Sequence, residues 1–471
     1  MSVASIPAGG GDTVWRRFGV GWALLLLLIA IAYDAFFLRI FSQWWFEDDP
    51  VLFAFAKSAA NPLAFFLPGT LKAYGAGGAL APLQGISEWI DGAFAYRSVT
   101  FAHWHNVASL TATLWLGFHV LRHFSVSRPG ALFICVLWLF LPPTIVVNEF
   151  LAARHYLEGF AVSLLAVGIA QEIAQGRWTE DGLSIGKLYL TLATAMLFKE
   201  IFAITVPLFI FIYLYEAKRY RGAIGAVVLV PFYLLYRYLS FGAGVSWGSP
   251  FLGPMAYLRY LTHLPYAMAG NCGGYLLLIF FGLALVGFAR KRGRPIRVFG
   301  YATLLIASNL VVIYPVSYPL SHEWMENGAW DRVLFPLDSG LLFAGGIFWF
   351  QAFNPQVRRL GGGLALIILL CGAVVTREKW QVMMAQYRRE GLFYLAHPDR
   401  LLYSEVRAAF FLDGVRELYN IPKRHHVLSV NRTKPPTDII AGHTTIWRLV
   451  DGKFRQDRKL FLELESHSPS P

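Results

Sequence analysis

The chain has 471 residues, of which 56% are hydrophobic, 16% aromatic and only 15% charged, with a mean hydropathy of +0.49. That is too little polar surface to cover a soluble globule of this size, so lipid is the expected solvent. Net charge is +12, but the basic residues scatter over short loops and the C-terminal region without interleaved aromatics, which argues against a nucleic-acid partner.

Trp15, Arg16 and Arg17 precede an apolar stretch from Phe18 to Phe41 that is too long for a signal-peptide core and lacks a small-residue cleavage site, so it reads as an uncleaved signal anchor. A hydrocarbon layer of roughly 30 Å needs about 17 to 25 apolar residues per helix. On that measure spans are expected near 18–41, 100–121, 131–147, 157–174, 186–198, 201–215, 223–240, 273–289, 298–315, 332–351 and 362–376. The fold class is therefore an all-α polytopic membrane protein of about eleven transmembrane helices. Cys135, Cys272 and Cys371 sit in or beside these apolar segments with no CxxC pair, and read as small core residues.

With the N-terminus inside, the cytoplasmic loops collect Arg16, Arg17, Arg122, Arg128, Arg177, Lys187, Lys218, Arg219, Arg221, Arg290, Lys291, Arg292, Arg294, Arg297, Arg358 and Arg359. The outer loops hold far fewer: Lys57, Lys72, Arg97, Arg154, Lys199 and Arg259. This is the bias of the positive-inside rule, and it puts the loop 42–99 and the C-terminus outside. The critical point is Lys199-Glu200, which interrupts one long apolar run; one span there in place of two would reverse everything downstream. The basic clusters at 218–221 and 290–297 favour two. Residues 1–376 form the transmembrane domain, and 377–471, more polar and with strand-like stretches at 425–430, 444–450 and 459–464 around turn signals such as Asp451-Gly452, form a small α+β extramembrane domain.

Ionisable groups gather on the outer side. Glu47, Asp48 and Asp49 follow Trp44-Trp45-Phe46 directly, so three carboxylates stand at the membrane surface. Like charges raise one another's pKa, so one could serve as a general base, or the set could bind a divalent cation. The plainer reading is an acidic helix start with Pro50 in its first turn. Arg97, His103, His105 and Asn106 stand at the mouth of the second span; the histidines, two apart, lie on different helix faces and do not form a helical zinc pair. Arg154 and His155, then Lys199 and Glu200, then Asp331 and Arg332 add charges at three further outer turns. Such groups at membrane depth are costly and mark function by default, although Lys199 and Glu200 could simply pair at a hairpin tip.

In these residues the chain resembles the GT-C superfamily of polytopic glycosyltransferases, especially the protein O-mannosyltransferase-like branch. Glu47-Asp48-Asp49 is similar to the family's acidic first-loop motif. Tyr96-Arg97-Ser98 with His105-Asn106 resembles the start of its second helix, with Ser98 where proline is usual; Phe198-Lys199-Glu200 is similar to its Lys-Glu hairpin, and Asp331-Arg332 through Pro336 to its late arginine element. The resemblance implies a sugar donor carried on polyprenyl phosphate in the membrane lipid, and a glycan, lipid or protein acceptor. It implies an active site on the non-cytoplasmic face, periplasmic in a bacterial inner membrane. Asp48 or Asp49, with Glu47, would deprotonate the acceptor hydroxyl. Lys199, Arg97 and Arg332 would hold the donor phosphate, and His103, His105, Asn106, Arg154, His155 and Glu200 would line the substrate site. No cofactor or metal is required in this branch, while metal-dependent relatives keep a divalent cation open. A polymerase or ligase of lipid-linked glycans would offer a large central outer loop, and a transporter mid-membrane charges with inverted repeats; the long acidic first loop and the absence of a repeat favour the transferase.

Overall fold

The computed structural model describes residues 20–46, 49–74, 80–95, 98–242, 255, 272–317, 331–397, 400, 402–404, 409–419, 427–429, 446–450 and 453–466. The first helix, α1 (Val20–Ala32), is apolar on all sides and ends in a π-helical turn, Tyr33–Leu38, closed by Arg39 in the left-handed region. The following loop carries α2 (Asp49–Ser58), α3 (Pro68–Tyr74) and α4 (Pro82–Ala95). Ser98 then caps α5 (Val99–His123) by accepting from the Phe101 backbone N–H, a capping role that proline at this position could not fill.

The third predicted span is broken. Helix α6 (Arg128–Leu139) and helix α7 (Pro142–Glu149) meet at 65°, because Pro142 and Pro143 lack the N–H groups that would continue α6 and instead start a new helix. A short 3-10 turn, Leu151–Ala153, leads into α8 (Arg154–Ala174). Next come α9 (Gly182–Phe198), α10 (Thr205–Glu216), α11 (Tyr220–Phe241), α12 (Cys272–Arg292), α13 (Pro295–Ser317), α14 (Asp331–Ala352) and α15 (Pro355–Ala396). The expected spanning segments lie, among the described residues, largely on helices, with 131–147 divided over two and 201–215 entered through a 3-10 turn, Glu200–Phe202. Among the described residues five helical stretches are long and apolar enough to cross a membrane, or six with the bent pair, so the chain is a multi-pass, predominantly helical membrane protein. Exposed Ile224, Val228, Phe232, Leu235 and Leu239 on α11 form an apolar surface that suits lipid.

The polar contacts sort the bundle into two ends. At one end Arg177 reaches His123 (2.8 Å), Gln351 donates to the Phe124 carbonyl (2.9 Å), Lys291 to the Gln351 carbonyl (2.6 Å), and Tyr301 to Glu216 (2.5 Å). These are the loops expected to be cytoplasmic. Glu180, just before α9, accepts from the Gly222 N–H just inside α11 (3.4 Å), while Lys199, after α9, lies over the Tyr156 ring at the far end of α8. The chain therefore reverses between Lys199 and Ile204, and α9 and α10 run in opposite directions.

Trp138, Phe160, Phe335 and Phe343 interlock at centroid separations of 5.6 to 6.4 Å, and the Trp138 indole donates to Ser339 (2.9 Å). Each such ring pair adds roughly 0.5–1.5 kcal/mol beyond area burial, which fixes α14 against α6 and α8.

Helix α15 has 42 residues, about 60 Å at 1.5 Å per residue and so about twice the hydrocarbon thickness. The expected domain boundary at 376/377 thus lies inside one continuous helix that carries the C-terminal domain out on the acidic-loop side. That domain contains a four-stranded sheet in the order β2-β1-β3-β4, from β1 (Leu402–Ser404), β2 (Val427–Ser429), β3 (Ile446–Val450) and β4 (Lys453–Asp457). β1 pairs in parallel with β2 and β3, and β3–β4 is an antiparallel hairpin. Helix α16 (Ala409–Leu418) crosses between β1 and β2 and packs on α2. The stretch 459–464, expected as a strand, belongs to α17 (Arg458–Ser466), because Asp457 caps it by accepting from the Leu460 N–H (2.8 Å).

After the native cysteines are replaced by serine, single cysteines at Lys57 and Lys291 are expected to react with a membrane-impermeant maleimide from opposite sides of sealed vesicles. Labelling of both from one side would contradict this topology.

Candidate functional site

The break between α7 and α8 puts an irregular stretch, Phe150–Tyr156, at the acidic-loop end of the bundle, and the predicted groups attach to it. Asp49 is fully buried at the start of α2; one carboxylate oxygen accepts from the Ala152 N–H (2.7 Å) and the other from the Phe46 N–H (3.0 Å). Arg332 lies over the Phe150 ring (4.8 Å) and Lys199 over the Tyr156 ring (5.7 Å). Seven residues in 3-10 and α conformation span about 10–14 Å, at 2.0 and 1.5 Å per residue, so these contacts fall within one small region. The His155 ring lies against the Tyr156 ring (4.5 Å between centroids), over which Lys199 sits.

Arg154, only 1% exposed, is the hub of a second network. Its guanidinium pairs with Asp91 (2.6 Å) and Glu158 (3.4 Å), and donates to Ser87 (3.2 Å) and to the Ala102 carbonyl (3.3 Å). His105 bridges the same two carboxylates, at 2.7 Å to Asp91 and 3.2 Å to Glu158. A buried charge left without its partner costs about 3–5 kcal/mol, so this network fixes α4 against α5 and α8.

Alongside it Tyr74 donates to Glu88 (2.5 Å), and Gln84 donates to Glu88 (3.1 Å) and to the Ala152 carbonyl (3.2 Å). Burial raises the Glu88 carboxyl from its ordinary 4.5 to about 8, although Tyr74, Gln84 and Arg154 oppose the shift.

A third cluster lies just below, where the Asn148 amide donates to Asp34, Asn106 donates to the Asn148 carbonyl (2.8 Å) and Gln43 donates to Glu149 (3.3 Å).

Of the residues singled out in the sequence, Asp49, Lys199, Arg332, Arg154 and His155 come together. His105 and Asn106 serve the two neighbouring networks. His103 is buried, and neither ring nitrogen is hydrogen-bonded to another described residue. Glu200 pairs with Lys199 (3.8 Å) and also acts on Tyr233. Glu47, Asp48 and Arg97 lie outside the described residues. Sequence reasoning missed Tyr74, Gln84, Ser87, Glu88, Asp91 and Glu158. Two spacings carried a signal: Glu88 and Asp91 are i, i+3 on α4, and Glu158 is i+4 from Arg154. Among the described residues no three His, Cys, Asp or Glu side chains are grouped to hold a metal ion.

The C-terminal domain closes over the first loop. The Trp45 indole donates to Tyr419 (3.3 Å), Trp44 meets Phe411 (6.1 Å between centroids), and Tyr387 of α15 packs on Phe46 (4.6 Å). Gly391 passes directly against the Trp44 ring, where a Cβ would collide. Comparison of the chain with protein-family models, curated proteins and solved structures finds no match.

The raised Glu88 pKa has a consequence with a definite sign. An acid whose folded pKa lies above its unfolded value contributes stability that is full below 4.5 and is lost as pH rises through about 8. Hydrogen exchange in 68–95 is therefore expected to speed up between pH 5 and pH 9 beyond its intrinsic pH dependence, and Glu88→Gln to remove that excess. An excess that persists in the variant would contradict the assignment to Glu88.

Proposed function

We propose that the protein is a membrane glycosyltransferase that transfers a sugar from a polyprenyl-phosphate donor to an acceptor hydroxyl on the non-cytoplasmic face, in a bacterial chain the periplasmic face of the inner membrane. One observation carries the reading: Asp49 of the first loop, Lys199 after α9 and Arg332 of α14 all attach to the single stretch Phe150–Tyr156. Carboxylate and cations thus share the membrane end where the headgroup of a lipid-borne phosphosugar would lie. The resemblance to the GT-C superfamily supports it, as does a multi-pass helical scaffold with five or six helical stretches long and apolar enough to cross a membrane among the described residues.

The chemistry follows from charge. As the acceptor oxygen attacks C1 of the sugar, the bond from C1 to the phosphate oxygen breaks and its electron pair goes to the phosphate. Lys199 and Arg332 stabilise the charge that develops there. The acceptor's proton goes to a first-loop carboxylate. Both oxygens of Asp49 accept backbone N–H groups, so its part is to hold the loop, and we assign the proton to Asp48 beside it. The reaction as written requires no cofactor.

The test is transfer from labelled polyprenyl-phosphate sugars in membranes containing the full chain. General-base catalysis is worth roughly 10²–10⁴-fold. Asp48→Asn is expected to lower turnover by that factor with an unchanged melting temperature, and Asp49→Asn to lower both turnover and melting temperature. Full turnover in Asp48→Asn would overturn the base assignment, and no transfer from any such donor would overturn the reading as a whole.

A further inference from the structure

His155 sits at the meeting point of the site with one nitrogen spoken for and the other open. Its Nδ1 lies 2.8 Å from the Ala152 carbonyl oxygen, which can only accept, so the proton of the neutral ring is on Nδ1. Nε2 is then a lone pair. It has no hydrogen-bond partner among the described residues, although the residue is only 6% exposed. A buried acceptor without a donor is costly and calls for one.

The ring's place tells what that donor is. On the proposed reading Lys199 and Arg332 hold the donor phosphate; Lys199 lies over the Tyr156 ring, whose centroid is 4.5 Å from that of His155, and Arg332 lies over Phe150 of the same short stretch. The phosphate oxygen is bonded to C1 of the sugar, so the sugar groups nearest those cations are the ring oxygen and the substituent on C2. The ring oxygen has only lone pairs and would oppose Nε2. A hydroxyl on C2 has a proton to give.

We propose that His155 Nε2 accepts a hydrogen bond from the C2 hydroxyl of the donor sugar, and so selects donors that carry a hydroxyl there over 2-deoxy sugars. The proposal rests on the glycosyltransferase reading above. It is a specificity role distinct from phosphate binding: the cations recognise the carrier, and the histidine recognises the sugar. A hydrogen bond to this hydroxyl also strengthens as charge develops on the sugar ring during transfer.

Asparagine and glutamine separate the two ring nitrogens. His155→Asn puts an amide N–H near the position of Nδ1, keeps the Ala152 carbonyl satisfied, and deletes the distal acceptor. His155→Gln keeps an amide near the position of Nε2 and loses the inner bond. The experiment compares turnover with polyprenyl-phosphate hexose donors bearing either hydroxyl or hydrogen at C2, using the full chain in nanodiscs. Intrinsic donor reactivity cancels when the ratio of the two rates is compared between proteins.

A site that hydrogen-bonds a substrate hydroxyl rejects the analogue lacking it strongly, so the ratio in His155→Asn is expected to fall by on the order of 10²-fold relative to the unmodified protein. His155→Gln is expected to recover part of that preference. Lys199→Ala should lower kcat/KM by the same factor for both donors and leave their ratio alone. An unchanged ratio in His155→Asn, with transfer still measurable, would overturn the role given to His155 while leaving the transferase reading standing. If the unmodified protein transfers from no polyprenyl-phosphate sugar, the transferase reading fails and this role with it.

Discussion

The peptide group of Ala152 joins three distant parts of the chain. Its N–H is held by Asp49 from the start of the first loop, and its carbonyl takes hydrogen bonds from Gln84 of α4 and from His155 of the next helix. Such a junction requires irregular backbone, because within a regular helix both groups would be spent on neighbours four residues away. Pro142 and Pro143 divide the long apolar segment ahead of it, and the chain turns at Phe150 before α8 begins. Irregular backbone at membrane depth is tolerated only where protein covers it and supplies the missing hydrogen bonds. The first loop does both.

The buried charges follow from the same constraint. Arg154 comes two residues after Ala152 and cannot reach bulk water, so Asp91, Glu158 and His105 gather around it. Lys199 pairs with Glu200 and lies over the Tyr156 ring, and Arg332 lies over the Phe150 ring. Cations held by aromatic faces can still turn to a phosphate, and the proposed donor supplies one. Aromatic packing of the C-terminal domain on Trp44, Trp45 and Phe46 holds the loop from above, so a domain that hydropathy sets apart shares in positioning the site.

The membrane scaffold was legible because lipid imposes a simple demand, a long apolar helix, and because basic residues mark one end of each hairpin. Reversal at Lys199 could be expected from the clusters at 218–221 and 290–297, and the structure has it. The site was legible only in part. Asp49, Lys199 and Arg332 stood out as charges at outer turns, but their common anchor at Phe150–Tyr156 depends on a bend that hydropathy ran straight through. Glu88 and Asp91 were missed because their partners Tyr74, Arg154 and His105 lie on other elements, joined only once α4 folds back on α5 and α8, and Glu158 because its one local signal was the i+4 spacing from Arg154. At 459–464 the alternation of Leu and charged residues imitates a strand, and the cap from Asp457 decides for helix.

The central claim is that carboxylate, cations and His155 on one short stretch form a site for a lipid-borne phosphosugar. It is tested most directly by crosslinking the full chain in nanodiscs with a polyprenyl phosphate that carries a photoreactive group beside its phosphate. The account expects adducts within Phe150–Tyr156 or next to Lys199 and Arg332. Unlabelled polyprenyl phosphate should suppress them, polyprenol without the phosphate should not, and Lys199→Ala with Arg332→Ala should abolish them. Adducts at the basic end of the bundle, or adducts unaffected by loss of both cations, would contradict it.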